Sequence, residues 1–424
     1  MDVPQRNTNR EFVVVAVLFF TWGAVFLARM SGLYLAPYLV PEFYLTHAQV
    51  GLLGSVVAIA WAVSGLFFGA LSDRIGRRVI LIPCAFAFSI LCALCGLVQS
   101  FSQLLILRAL IGIAEGPTWP ILSTIVKQSS NPARRGRNVG LVVGAAALVG
   151  FAVAPILTTQ VATRFGWRWA FVAAGIPGFV ISFCIVKFVP EPARRASADE
   201  HGAVDWRQCF SILRYRNVWL CCLATAGFLC WLFLVHSFAP LYVTEVAHQL
   251  PTTAGFLIGA TGLGSFILGY FLPALSDRIG RKPSLLITAA LSTAVPLVLL
   301  VPSLYGHLWL LATLLLATNG GQGVSALAIV LVPSETVPAE FAATTIGLTT
   351  SVGEIAGATI APVLGGMLAE KSGLGSTMWM AAGGMLLVFL ATLFMKETGP
   401  IARTEELLPP QSSRSKPFLS VSES

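Results

Sequence analysis

The stretch GALSDRIGRR at residues 69–78 returns as PALSDRIGRK at 273–282, and eight consecutive residues are identical at an offset of 204. Each copy stands between two strongly apolar runs of about twenty residues, the length a helix needs to cross a bilayer. The stretch therefore reads as a tight charged turn between membrane-length segments, and the chain reads as one unit built twice.

Composition agrees with that reading. Of 424 residues, 56% are apolar and only 11% charged, the mean hydropathy is +0.80, and an ordinary soluble domain carries about 25% charged residues. The formal charge of +8 does not point to nucleic acid, because the basic residues lie in turns between apolar runs and not on one folded face. No phosphate-binding G-x-x-x-x-G-K-[ST] run is present, and no polar stretch is long enough for a nucleotide domain. The eight cysteines lie in apolar runs, apart from Cys209 in a linker, so a disulfide framework is not expected. The C-x-x-C of Cys92 and Cys95 falls inside a membrane segment and reads as packing. The polar MDVPQRNTNRE start precedes an apolar run too long for a signal peptide, and no metal or cofactor set is visible.

Twelve runs of spanning length are expected at roughly 12–36, 48–71, 79–98, 102–126, 138–162 and 169–188, then 217–240, 252–273, 284–302, 307–331, 342–368 and 375–395. The expected fold is therefore all-α: an N-terminal six-helix bundle (1–188), a central linker (189–216), a C-terminal six-helix bundle (217–398) and a disordered tail (399–424). In the linker, Trp206, Phe210 and Leu213 recur at helical spacing, with Arg207 and Arg214 beside them, which suits either a surface helix or a plain connector. Most Lys and Arg fall on the side of the termini, including Arg6, Arg10, both repeated turns and the Lys127–Arg137 stretch. That bias places both termini in the cytoplasm. A bacterial inner membrane and a monomer are expected. The loop after the tenth run departs from the bias, with Glu335 and Glu340 and no basic residue.

Twelve spans in two related halves, with D-R-x-G-R-R and D-R-x-G-R-K in matching turns, resemble the major facilitator superfamily over about residues 12–398. The resemblance implies two six-helix bundles around a central site opened alternately to each side. It also implies a gating role for the turn, in which Asp73 and Arg77 would latch the cytoplasmic side closed; on physical grounds Gly69 allows close helix approach and Arg74 is a cytoplasmic anchor. Asp277 and Arg281 take the same places in the second copy, where Pro273 replaces the glycine and weakens the analogy.

Charge inside hydrocarbon carries a free-energy penalty of about 2.5–3.5 kcal/mol per residue on insertion scales, so Arg29, Arg108, Glu115 and Glu354 mark the functional region. Arg108 and Glu115 are two turns apart, about 10.5 Å along one helix face. Arg29 reaches a similar depth from the first span, and two guanidiniums above one carboxylate is a layout for an anion. The stretch RALIGIAEGPTWP with an arginine in span one resembles the anion:cation symporter branch. That resemblance assigns the substrate carboxylate to Arg29 and Arg108 and the proton (or Na⁺) to Glu115. Ala28 stands where many members carry an aspartate, which leaves coupling stoichiometry open. The repeat sets Asn319 opposite Glu115 and Ala312 opposite Arg108. With Gln322 one turn on and Gly320, Gly321 and Gly323 around it, the tenth span should break locally and offer polar groups to a substrate. Glu354 is a second candidate proton carrier. His236 suits either a titrating group or a packed one, and Trp22, Trp61, Trp119 and Trp231 suit either substrate stacking or packing.

The expected function is secondary transport of a small organic anion, such as a carboxylate or sugar acid, coupled to protons, and not catalysis. A drug-efflux antiporter and a sugar porter are the alternatives. The first is suggested by a loose glycine pattern at Gly140, Gly144, Gly150 and Pro155, the second by PEPAR at 190–194 and KETG at 396–399.

Overall fold

The computed structural model describes residues 8–191, 212, 214–338 and 341–399. Twelve helices there are long and apolar enough to span a membrane, numbered here in chain order: Asn9–Tyr34, His47–Gly69, Arg77–Leu97, Phe101–Ser129, Pro132–Phe165 and Trp167–Phe188 form the first six. Arg216–Val246, Pro251–Ile279, Arg281–Leu299, Leu308–Thr336, Thr344–Ser372 and Gly375–Leu393 form the second. No strand occurs among the described residues. The expected spans are all present, and several run further than hydropathy indicated. Span five begins at Pro132 and not near 138, because helical hydrogen bonding continues through Arg134–Arg137 once the side chains have left hydrocarbon. The proposed linker helix around Trp206 and Phe210, the tail beyond 399, and Glu340 lie outside the described residues.

Within the first half, span one packs against five and six, two against four, and three against four and six; in the second, seven packs against eleven and twelve, nine against twelve, and eight against ten. The halves meet along two seams, span two with eleven and span five with eight.

Both repeated turns are built alike. Gly76 at φ +117° and Gly280 at φ +103° give the chain a left-handed step that side chains disfavour, and a new helix starts at the next residue. Its first N–H groups have no partner within the helix, and a carboxylate from the end of each half supplies one. Glu191 accepts from the N–H of Arg77 at 2.7 Å and of Arg78 at 3.1 Å, and Glu397 from Arg281 at 2.7 Å and Lys282 at 3.0 Å. The acidic residues of PEPAR and KETG are helix caps here. Arg281 also bonds Asp277 at 2.6 Å and Glu335 at 2.9 Å. The acid that seemed to break the charge bias is therefore the counter-charge of the second turn, and that network stays inside the C-terminal half. The Asp73 side chain lies outside the described ones.

The seams are tight toward the face away from the termini and open toward the termini. An added Cβ at Gly51 would sit 2.1 Å from the Pro362 carbonyl oxygen, at Gly366 2.3 Å from the His47 carbonyl oxygen, and at Gly262 2.1 Å from the Phe151 carbonyl carbon. At Gly69, Gly140 and Gly347, all nearer the termini, nothing lies within 4 Å. The halves thus form a V whose closed end is tied further by Ala48 N–H donating to Glu370 at 3.0 Å. Spans five and eleven each carry a π-helical segment, Ala146–Val153 and Glu354–Ile360, followed by an Ala-Pro step. Widened turns of this kind bend helices and recur at functional sites.

Candidate functional site

Three of the four charges expected inside the membrane come from the first half, and the fourth reaches them from the second. Arg29 on span one is 3% exposed, and its Nη2 lies 3.4 Å from Oε2 of Glu354, the first residue of the π segment in span eleven. The guanidinium is walled by rings, its Cζ standing 5.3 Å from the centroids of Trp61 and Phe233 and 5.9 Å from that of Phe26. Phe233 belongs to span seven, so the wall is also shared between the halves. Such contacts favour a cation beyond its charge pair and present flat apolar faces to whatever approaches it.

Arg108 is fully buried and is turned elsewhere. Its Nη1 donates to the Ala28 carbonyl at 3.0 Å and its Nη2 to the Arg29 carbonyl. Gly32 permits this, since an added Cβ there would fall 3.0 Å from the guanidinium carbon. The sequence places Arg108 beside Arg29 as a second anion ligand. In the structure both of its terminal nitrogens are held by the backbone that carries Arg29, and only Nε lacks a partner.

Glu115 ends the first helical segment of span four, which resumes at Thr118 after Gly116 and Pro117. The break suits both residues: proline has no N–H for the ladder, and at Gly116 an added Cβ would lie 2.5 Å from the Trp61 carbonyl oxygen. Glu115 is completely buried, neither of its oxygens has a hydrogen-bond partner, and the charges of Arg29 and Arg108 both reach it. A buried carboxyl left bare in this way is uncommon, because an unmade hydrogen bond in the interior is destabilising by about 1–3 kcal/mol.

Span ten breaks where the glycine cluster predicted. Its helix stops at Thr318 and restarts at Gly321. The Asn319 side chain bridges the gap, Oδ1 accepting from Gly321 N–H at 3.1 Å and Nδ2 donating to the Thr261 carbonyl at 2.9 Å. Asn319 thus holds the break, while Gln322 beside it is half-buried with no partner among the described residues. The Trp231 ring lies against Gly321, and the indole N–H groups of Trp231 and Trp61 are buried and unpaired. Trp22 and Trp119 pack on each other at 4.8 Å.

His236 is fully packed. Its ring stacks on Phe151 at 4.5 Å, and its Nδ1 lies 3.0 Å from the Tyr34 hydroxyl, which also bonds the Gly150 carbonyl. This contact between span seven and spans one and five escaped sequence reading, because Tyr34 and Phe151 carry no charge that would mark them.

A helical chain with two sixfold halves, an inter-half cleft and a buried charged centre is the form of a carrier. The family model of the Major Facilitator Superfamily matches residues 17–359. The chain belongs to that superfamily. It is a multi-pass membrane transporter and not an enzyme. Among curated proteins it is similar to the cis,cis-muconate transport protein of Acinetobacter baylyi, at 29% identity over 84% of this chain and 87% of that one. It is also similar to a probable 4-methylmuconolactone transporter of Cupriavidus pinatubonensis, at 29% identity over 81% of each. Among solved structures, a bacterial homologue of the human lysosomal transporter Spinster shares the fold, with a TM-score of 0.68 at 20% identity over 92% of this chain and 95% of that one.

Proposed function

We propose that this transporter moves a small organic carboxylate by alternating access, driven by protons, with Arg29 as the anion ligand and Glu354 as its internal stand-in. The observation that carries the reading is the Arg29–Glu354 pair, which joins the two halves at the depth of the site. A substrate carboxylate that takes Glu354's place on Arg29 leaves Glu354 as an uncompensated buried charge. Such a charge is unfavourable by about 3–5 kcal/mol when its partner is removed, and a proton relieves it. Anion and proton therefore load together, and the net charge of the site is the same empty or full, as passage through a closed gate requires. Glu115, bare and within the field of both arginines, is a second place for the proton. Arg108 acts through span one, fixing the backbone that presents Arg29.

The ring-lined wall of Trp61, Phe233 and Phe26 favours a flat, unsaturated acid, and the muconate and methylmuconolactone named for the two relatives are of that kind. The Lys and Arg bias supports an orientation with the open face toward the cytoplasm, and a bacterial inner membrane is the location that goes with this reading. The test is uptake of radiolabelled cis,cis-muconate and benzoate into proteoliposomes under an inward proton gradient, with an inward Na⁺ gradient as the second arm. Accumulation driven by the proton gradient and lost in Arg29→Gln supports the proposal. Dye or sugar transport with no carboxylate accumulation overturns it and favours an efflux or sugar carrier.

A further inference from the structure

Where the seam between spans five and eight opens toward the termini, it holds a cleft of about 480 Å³ that the transport reading does not use. Its depth follows from the splay of the two helices. They touch backbone to backbone at Phe151 and Gly262, separate to a ring contact between Gly144 and Phe266, and are free of each other at Gly140. Span one closes the back with Phe12 and Val15. Phe12, Leu141, Tyr270 and Phe271 make the walls, and all four expose much of their surface. At the mouth stand Arg134 and Arg137, both exposed and without an acidic partner among the described residues.

One acid lines the cleft, and it is already engaged. Glu11 is 8% exposed, and its Oε1 accepts from Asn138 Nδ2 at 2.7 Å and from the Asn131 N–H at 3.2 Å. It pins span one to the start of span five through neutral donors and makes no ion pair with either guanidinium, so the charges that line the cleft leave a net positive one. The cleft is thus apolar within and doubly basic at its rim, at the depth where the first turns of spans one and five leave hydrocarbon. A soluble anion has no use for the apolar wall, and a neutral lipid none for the arginines.

We propose that this cleft binds an anionic phospholipid from the leaflet on the side of the termini, with its phosphate on Arg134 and Arg137 and an acyl chain along Phe12, Leu141, Tyr270 and Phe271. Basic pockets between membrane helices suit such headgroups, and arginine holds phosphate through two parallel hydrogen bonds. Because the cleft exists only while the halves are splayed on this face, the lipid acts as a wedge that favours the splayed state. The inference does not depend on which substrate is carried.

The experiment is native mass spectrometry of the delipidated full chain titrated with phosphatidylglycerol and, separately, with phosphatidylcholine. Arg135→Gln is the control, since Arg135 sits on the same turn but does not line the cleft. The expected result is a saturable phosphatidylglycerol site that weakens at least tenfold in Arg134→Gln/Arg137→Gln, is kept in Arg135→Gln, and is largely restored in Arg134→Lys/Arg137→Lys, which also shows that the sites tolerate substitution. Equal binding of phosphatidylcholine, an equal loss in Arg135→Gln, no loss in the double variant, or displacement of the lipid by millimolar benzoate would each overturn the proposal, the last by giving the cleft to a soluble acid.

Discussion

Arg29 of the first half and Glu354 of the second lie 3.4 Å apart with almost no exposure, so the pair neutralises the buried centre only while the halves stay together. Glu354→Gln removes the competitor for Arg29 and the proton acceptor at once. Substrate exchange across proteoliposomes should therefore persist, with affinity unchanged or tighter, while accumulation driven by a pH gradient falls at least tenfold. If accumulation and its pH dependence survive, coupling does not run through Glu354, and the same measurement on Glu115→Gln then tests the other carboxyl.

Arg108 holds the carbonyls of Ala28 and Arg29, so its loss should act on the shape of span one. Arg108→Lys keeps the charge but not the planar fork that reaches two carbonyls. Expected is a loss of stability of about 1–3 kcal/mol, read as a lower Tm in detergent. Transport should fall through its maximum rate, with less than a threefold change in apparent KM. A large rise in KM with an unchanged Tm would return Arg108 to the substrate.

Much of this is legible in the sequence. The repeat at Asp73 and Asp277 and the lengths of the apolar runs give twelve helices in two halves, because in lipid the backbone has few ways to satisfy itself. Charge inside those runs is rare enough that Arg29, Arg108, Glu115 and Glu354 stand out. Direction is what the pattern lacks. Spacing places Arg108 and Glu115 on one face, yet whether a long side chain meets a cavity or a neighbouring backbone depends on Gly32, which belongs to another helix. The caps by Glu191 and Glu397 join residues more than a hundred positions apart, and the Tyr34–His236 contact joins two bundles. Such pairings follow from packing and have no local signature.

The two ends of the seam between spans two and eleven make opposite predictions for glycine. A side chain at Gly51 has no room against Pro362, so Gly51→Val should force the closed face apart and raise the modification rate of a reporter cysteine placed near Glu370. At Gly69 this state has open space, so Gly69→Val should leave its Tm unchanged and transport reduced tenfold or more, if the opposite state closes there. Normal transport in Gly69→Val would remove that residue from the gate.

The Tyr34 hydroxyl ties His236 to span five on the closed side of the site. Tyr34→Phe strips this bond and leaves the buried ring nitrogen of His236 without its partner. Labelling of the same reporter cysteine should rise several-fold, and Tm should drop by an amount corresponding to about 1–3 kcal/mol. Unchanged labelling with a lowered Tm would make the contact a packing element only.

Glu397 supplies a pH dependence outside the membrane. Burial alone would raise its carboxyl, but backbone N–H groups from Gly399, Lys282, Arg281 and Thr398 outweigh that and hold it below the ordinary carboxylate range. A group whose folded value lies below its unfolded value of about 4.3 favours folding above that pH, and its contribution disappears as pH falls through the folded value. Wild-type Tm in detergent should therefore drop on acidification from pH 5 to pH 3 by more than the Tm of Glu397→Gln. The variant should already be less stable at pH 7, where the amide caps Arg281 and Lys282 without a charge. Parallel curves for the two proteins would mean that the acid sensitivity arises elsewhere, and that the cap at the second turn acts through geometry alone.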